Sequence, residues 1–288
     1  MRSFDYNTAF SRNIGWVTEE EQERLRNCRV AIGGLGGVGG VHLLTLARLG
    51  IGRFNVADFD KFDLVNFNRQ VGATMSSIDR PKIEVLKEMA RDINPELELR
   101  LFSEGISTKN LNEFLDGVDV YVDGLDFFAF DIRRKTFAAC QTKGIPVVTA
   151  APLGLGTAVL IFSPTGMTCE DYFGFEGCDE FEMAIRFLVG LSPAILQRGY
   201  VADISRISLH ERRGPSSIAS CELCAGVAAV ETLKLLLRRG EIRYAPWGSQ
   251  FDAYRMKYVR TWRPGGHNNP LQRLMFFLLR QQLRNKTS

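Results

Sequence analysis

Two hydrophobic rhythms alternate along the chain. Short β-branched runs ending in glycine or acid are followed by longer stretches with apolar residues every three or four positions, the pattern of buried strands alternating with amphipathic helices. RVAIGG predicts a first strand, VGGVHLLTLARLG a helix ended by Gly50 and Gly52, and RFNVADFD a second strand closing on acid. That is a βαβ unit, with a parallel pair and a right-handed crossover. The alternation continues with RPKIEVLKEMARDIN as a helix stopped before Pro95, LELRLFSE as a strand, TKNLNEFLDG as a short helix and VDVYVDGLD as a strand. FDIRRKTFAACQTKG then reads as a helix and IPVVTAAP as a strand. Ahead of them all, TEEEQERLR opens on Thr18 with Glu21 three residues later, a capping box.

The fold class this predicts is α/β: a doubly wound, mostly parallel Rossmann-like sheet with a C-terminal extension on the substrate side. We expect four segments of a single domain: an N-terminal arm and helix over 1–27, the core over 28–162, a crossing loop or substrate-side insertion over 163–220, and a helix and tail over 221–288. In the third segment the periodicity lapses into aromatic, acidic and Gly/Pro-rich stretches, which read as loop rather than as another core layer. The fourth opens with the helix CAGVAAVETLKLLLRRG and closes with LQRLMFFLLRQQLR, whose helical spacing reads as a docking helix. FDAYRMKYVRTWRPGGHNNP matches no chemistry.

Composition excludes several classes. A chain of 288 residues, 45% hydrophobic and 24% charged, is neither disordered nor fibrous. With 36 Lys and Arg against 33 Asp and Glu, the net charge of +3 is too small to imply a polyanion partner, and no strongly basic tail stands out. MRSFDYNTAFSRNIGW has no apolar run behind its arginine, and no stretch reaches the roughly 18 apolar residues of a membrane span. The expectation is a soluble, cytoplasmic protein without membrane contact. Six cysteines are too few for a disulfide scaffold in that compartment.

The chemistry starts in GGLGGVGG, where Gly34, Gly36 and Gly39 form GxGxxG, with Gly37 between them, in a strand–turn–helix setting. Such a turn lets backbone amides and a helix N-terminus approach phosphates. Asp58, nineteen residues beyond Gly39 at a strand end, can accept from ribose hydroxyls. To this point a dinucleotide dehydrogenase fits equally well. The loop DFDKFDLVNFNRQVG then gathers Asp58, Asp60, Asn66, Arg69 and Gln70, and RPKIEVLK presents Lys82 at a helix start. A nucleoside triphosphate calls for that many charged and amide groups, because guanidinium and ammonium neutralise its phosphates during in-line displacement.

GLGGVGG, DFD followed by NFNRQ, the Lys of RPK, INPE and the GLD of VDGLD resemble, in order and spacing, the ubiquitin-activating-enzyme-like superfamily that includes ThiF and MoeB. The similarity covers roughly residues 10–162. It implies an ATP- and Mg²⁺-dependent adenylyltransferase that activates a carboxylate as an acyl adenylate, usually the C-terminus of a ubiquitin-like or sulfur-carrier protein, sometimes a peptide. Carried over residue by residue, Asp58 holds the ATP ribose, while Asn66, Arg69, Gln70 and Lys82 line the triphosphate. Asp126 matches the family's Mg²⁺ carboxylate. Arg12 of FSRNIG resembles an arginine that reaches into the partner subunit's site, which implies a homodimer. Arg12, Arg69, Lys82 and Asp126 are therefore the expected catalytic group.

The sequence departs from the family at two places. Phe127 follows Asp126 where asparagine is common, making that wall more apolar. Zinc, often held there by two CxxC pairs, has only Cys221 and Cys224 here, with Cys169 and Cys178 nine residues apart. Used as thiols instead, Cys224 is expected at a helix start, where its pKa would fall, and Cys178 is a candidate for a thioester. His42 reads as packing inside a helix, and His210 and His267 as loop residues. Two rivals remain within the superfamily: a tRNA threonylcarbamoyladenosine dehydratase, whose RNA substrate the small charge excess disfavours, and a non-catalytic dimer partner.

Overall fold

In the computed structural model, which describes residues 3–284, the chain opens with an arm: the one-turn helix α1 (Tyr6–Ala9), a tight turn over Ser11–Asn13, then α2 (Glu19–Asn27). The capping box forms as the sequence predicts, Thr18 Oγ1 accepting from Glu21 N at 3.1 Å and Glu21 Oε2 from Thr18 N at 2.9 Å. The first βαβ unit is β1 (Arg29–Gly33), α3 (Gly39–Arg48) and β2 (Arg53–Ala57). Next come α4 (Lys82–Ile93), β3 (Glu98–Phe102), α5 (Leu111–Phe114), β4 (Val120–Asp123), α6 (Phe130–Thr142) and β5 (Val147–Pro152).

The strands stand in the order β3-β2-β1-β4-β5, all parallel. The winding reverses between β1 and β4, and that switch point leaves a crevice at the strands' carboxyl ends. Strand β6 (Gly156–Phe162) then returns antiparallel to β5. Alternation along β1 separates two cores, Val30 and Ile32 joining the cluster under α3 and α4 while Ala31 joins an aromatic one on the other face.

Structure and expectation part company after residue 162. The 163–220 segment contributes a core layer, α7 (Cys169–Phe173) and α8 (Glu180–Leu191). Tyr172, Phe173, Phe175 and Phe187 are buried with Phe130, Phe137 and Phe162, so the aromatics that read as loop composition are the inward face of α7, α8 and the turn between them. Helix α9 (Ile218–Leu237) packs on β5 and β6 from the α3 side. The unmatched stretch after it is an antiparallel hairpin, β7 (Trp247–Asp252) and β8 (Lys257–Trp262), which completes an eight-stranded sheet. Helix α10 (Pro270–Arg284) docks Phe276 against Ile185 and Val189 of α8, as the sequence predicts of a docking helix. Among the described residues no helix is long and apolar enough to cross a membrane.

Candidate nucleotide-binding site

The glycine turn between β1 and α3 lies in the switch-point crevice. Gly34 N donates to Ala57 O at 2.8 Å and Gly124 N to Gly33 O at 2.9 Å, which stitches the turn between β2 and β4. Gly34 adopts φ +82°, and a Cβ there would stand 2.4 Å from Gly124 O. A Cβ on Gly39 would meet Gly34 O at 1.8 Å, so only glycine permits this closeness. No side chain caps α3, which leaves its N-terminus to an anion.

Asp58 follows β2 directly and is buried, Oδ2 accepting from Leu35 N at 2.6 Å and Oδ1 from Asp60 N at 2.8 Å. Burial raises its pKa, and those two backbone hydrogen bonds hold part of that rise back. Asp60 turns to Lys82, its Oδ2 lying 3.0 Å from Nζ, while Lys82 N donates to Asp60 O at 2.9 Å. Asp60 thus holds the lysine through both its side chain and its backbone. Asn66 turns its side-chain oxygen to Asp63 N at 3.0 Å and so shapes the loop.

Arg69 and Gln70 reach the turn from that loop. A Cβ on Gly37 would lie 3.7 Å from Arg69 Cγ, and one on Gly36 would lie 3.8 Å from Gln70 Nε2. Arg69 Nη1 donates to Val65 O at 2.9 Å and Asn68 Oδ1 at 3.0 Å. Gln70 Oε1 is buried without a hydrogen-bond partner. Unpaired buried carbonyls are rare in native proteins, while the amide nitrogen Nε2 on the Gly36 side is a donor of the kind a phosphate oxygen accepts.

The β4–α6 loop carries Asp126, which is exposed, with Oδ1 accepting from Phe128 N at 2.9 Å. One carboxylate beside phosphate oxygens is the donor set Mg²⁺ takes at nucleotide sites, so Asp126 fits that ion. Sequence reasoning missed the residue that fixes this loop. Arg133 of α6 is buried, donates Nε to Asp123 Oδ2 at 2.8 Å, and reaches the carbonyls of Leu125 at 3.0 Å, Asp126 at 2.9 Å and Phe127 at 3.2 Å. Thr149 Oγ1 donates to the same Asp123 oxygen at 3.0 Å, and the guanidinium lies 4.6 Å from the centre of the Phe187 ring. The signal in DFFAFDIRR was an adjacent Arg pair; burial selects Arg133. Arg212, missed as well, pairs with Glu180 at 2.5 Å and lies 5.7 Å from the Phe128 ring centre, bringing a cation of the 163–220 segment beside this loop.

Arg12 is not brought to the turn of its own chain. Its arm packs at the far end of α3, where Asn13 Nδ2 donates to Leu49 O at 3.3 Å and Tyr6 OH to Gly50 O at 2.5 Å. The ten residues of α3 span about 15 Å.

The cysteine readings need correction. Helix α9 starts at Ile218, so Cys224 sits in its second turn, fully buried with Sγ 3.1 Å from Thr157 Oγ1, and burial pushes its pKa up rather than down. Cys221 points to Gly37 instead. Cys169 belongs to the core on the opposite sheet face, and among the described residues no group of three or more His, Cys, Asp or Glu is gathered around a metal position. Cys178 is half-buried, Sγ donating to Gly174 O at 3.4 Å, and burial raises its pKa too. His42 is buried in α3, as packing requires.

A doubly wound sheet with this turn and a strand-end carboxylate is the architecture of nucleotide-binding folds. The ThiF family model matches residues 10–274, and the chain belongs to that family. It is 34% identical over 142 residues to the tRNA threonylcarbamoyladenosine dehydratase of Bacillus subtilis, covering 49% of this chain and 55% of that one. It is 33% identical over 148 residues to the sulfur carrier protein ThiS adenylyltransferase of Escherichia coli, covering 51% and 58%. The chain thus spans little more than half the length of these relatives. The structure of E. coli MccB with ATP superposes with a TM-score of 0.64 at 18% identity, over 88% of this chain and 69% of that one, a likeness of fold.

Proposed function

We propose that this protein is an ATP- and Mg²⁺-dependent adenylyltransferase that joins AMP to a carboxylate, the C-terminus of a small carrier protein or peptide. The observation that carries the reading is the placing of Arg69 and Gln70 against one uncapped glycine turn, with the Asp60-held Lys82 close enough to Asp58 to act on its charge. A dehydrogenase cofactor has no use for these groups at its phosphates. The relative that acts on ThiS and the ATP-bound MccB structure support the same reading.

A carboxylate oxygen of the acceptor attacks the α-phosphorus, and the bond to the β-phosphate oxygen breaks to release pyrophosphate. No general base is needed, because a C-terminal carboxyl is ionised at neutral pH. Asp58 orients the ribose, Gln70 Nε2 donates to a phosphate oxygen, and Arg69 and Lys82 stabilise charge that grows on the phosphate oxygens. Asp126 would hold Mg²⁺, which would supply further neutralisation there. Arg133 keeps the Asp126 loop in place through three carbonyls.

The active unit is a homodimer in the cytoplasm, with Arg12 completing the partner's site. Arg12 lies a helix length from its own glycine turn, and the loop bearing Arg69 exposes Leu64, Val65 and Met75, an apolar surface suited to a second subunit. A second reading, a dehydratase acting on threonylcarbamoyladenosine in tRNA, is favoured by the similarity to the B. subtilis enzyme. Both readings share the adenylation step, and the modified product separates them.

The test is ATP–pyrophosphate exchange with a ubiquitin-like carrier ending in Gly-Gly. Wild-type exchange should fall tenfold or more in Arg69→Ala and in Lys82→Ala, each removing a charge contact to the transition state. Equal binding of NAD and ATP, with both variants fully active, refutes the reading.

A further inference from the structure

The hairpin at the sheet's edge has no part in the site described above. From residue 253 to the C-terminus the sequence contains no Asp or Glu, and residues 253–263 alone hold Arg255, Lys257, Arg260 and Arg263. The charge balance of the whole chain conceals this local excess.

Side chains of β8 alternate between faces, which sets Tyr258, Arg260 and Trp262 side by side on one face, in register with Phe251, Ser249 and Trp247 of β7. It is the α9 side of the sheet, since Ser249 pairs with Val159, whose side chain lies in the core under α9. Helix α9 packs on β5 and β6, and beyond it Tyr258 is 54% and Trp262 55% exposed.

The rings are held in place. Tyr258 OH donates to Ser249 Oγ at 3.1 Å and accepts from Arg260 Nε at 3.0 Å. Trp262 stacks on Trp247 with centroids 6.0 Å apart and planes at 27°, and Arg243 lies 4.9 Å from the Trp247 centre. The nearby acids are already matched, Glu231 by Lys234 at 2.5 Å and Glu241 by Arg243 at 2.8 Å. Arg260 has no ion pair among the described residues.

We propose that this face binds single-stranded nucleic acid, with bases stacking on Tyr258 and Trp262 and phosphates lying against Arg260. Ring, guanidinium and ring succeed one another every two residues, about 7 Å apart. Such an alternation serves a ligand that is itself flat rings on an anionic backbone. A membrane surface calls for aliphatic side chains among the rings, and the β8 face presents none. Five strand spacings, about 24 Å, separate β8 from β1 and the glycine turn. Binding here is independent of ATP and does not rest on the adenylation reading.

The test is fluorescence anisotropy of labelled 12-mer oligo(U), with oligo(dT), heparin and phosphatidylglycerol vesicles as competitors, over a salt series. Tyr258→Ala and Trp262→Ala should each weaken oligo(U) binding about tenfold, and Arg260→Gln should lower the salt slope by about 0.7. Lys82→Ala should bind as wild type, which separates this face from the nucleotide site. Arg260 is exposed, so its variant reports on the surface even where a ring substitution disturbs the hairpin; melting curves identify any that do. Failure to bind oligo(U), binding unchanged in Arg260→Gln and in the ring variants, or stronger competition by heparin or vesicles than by oligo(dT) would each overturn the proposal.

Discussion

Replacing His42 by leucine should raise stability and remove part of its pH dependence. The imidazole is fully buried in α3 and neither ring nitrogen has a hydrogen-bond partner. Burial without a counter-charge lowers its pKa from 6.5 to about 4. The folded protein keeps this ring neutral, whereas the unfolded chain takes up a proton below pH 6.5. Between those limits the unfolded state binds more protons, so stability increases with pH. The contribution is complete above pH 6.5, falls as the solution is acidified, and levels off near pH 4. At about 1.4 kcal/mol per pH unit, wild type should lose about 2 kcal/mol between pH 6.5 and 5, and about 3 kcal/mol by pH 4.

Leucine abolishes that titration and relieves two unpaired buried nitrogens, each costing about 1 kcal/mol or more. Allowing for imperfect repacking, His42→Leu should be more stable than wild type at pH 7 by about 1–2 kcal/mol. Asp58, whose raised pKa works in the opposite direction, is common to both proteins and cancels in the comparison. Urea unfolding of the two proteins at pH 7, 6 and 5 measures the effect. Parallel loss of stability with acid, or a variant less stable than wild type at pH 7, would refute the account of His42 as a neutral, unpartnered core residue.

Asp126→Asn keeps volume and removes a hard anionic oxygen, so Mg²⁺-dependent pyrophosphate exchange should vanish while the melting curve stays put; exchange with unaltered Mg²⁺ dependence would mean the ligand lies elsewhere. Mixed Arg12→Ala and Lys82→Ala subunits, each inactive alone, should regain part of the wild-type activity, because one site per heterodimer has both groups; no recovery after verified subunit exchange would rule out action in trans. Arg133→Met strands the Asp123 carboxylate in the core and should cost about 3–5 kcal/mol in urea unfolding, a loss that Arg133→Met/Asp123→Leu should largely reverse. A cost below about 1 kcal/mol would show that the clamp is dispensable.

Local periodicity was enough to predict the parallel half of the fold. Strand runs near RVAIGG, RFNVADFD and VDVYVDGLD and the intervening helices could be read because each element's buried face recurs at its own period, and the glycine turn because its spacing has a backbone cause. Arg69, Gln70 and Lys82 were visible as residue types in one loop and one helix start. What those groups face was settled by contacts distant in sequence. Asp60 meets Lys82 across 22 residues and Arg133 rather than Arg134 turns inward to Asp123. Cys224 turns inward from α9 against Thr157, 67 residues away. The aromatic run after residue 162 became α7 and α8 because a sheet face lined by Leu160 and Phe162 needed covering, and the stretch without recognisable chemistry became β7 and β8 because β6 offered an unpaired edge. A side chain's burial and charge partners depend on which elements pack beside it, and residue order constrains that only through the whole fold.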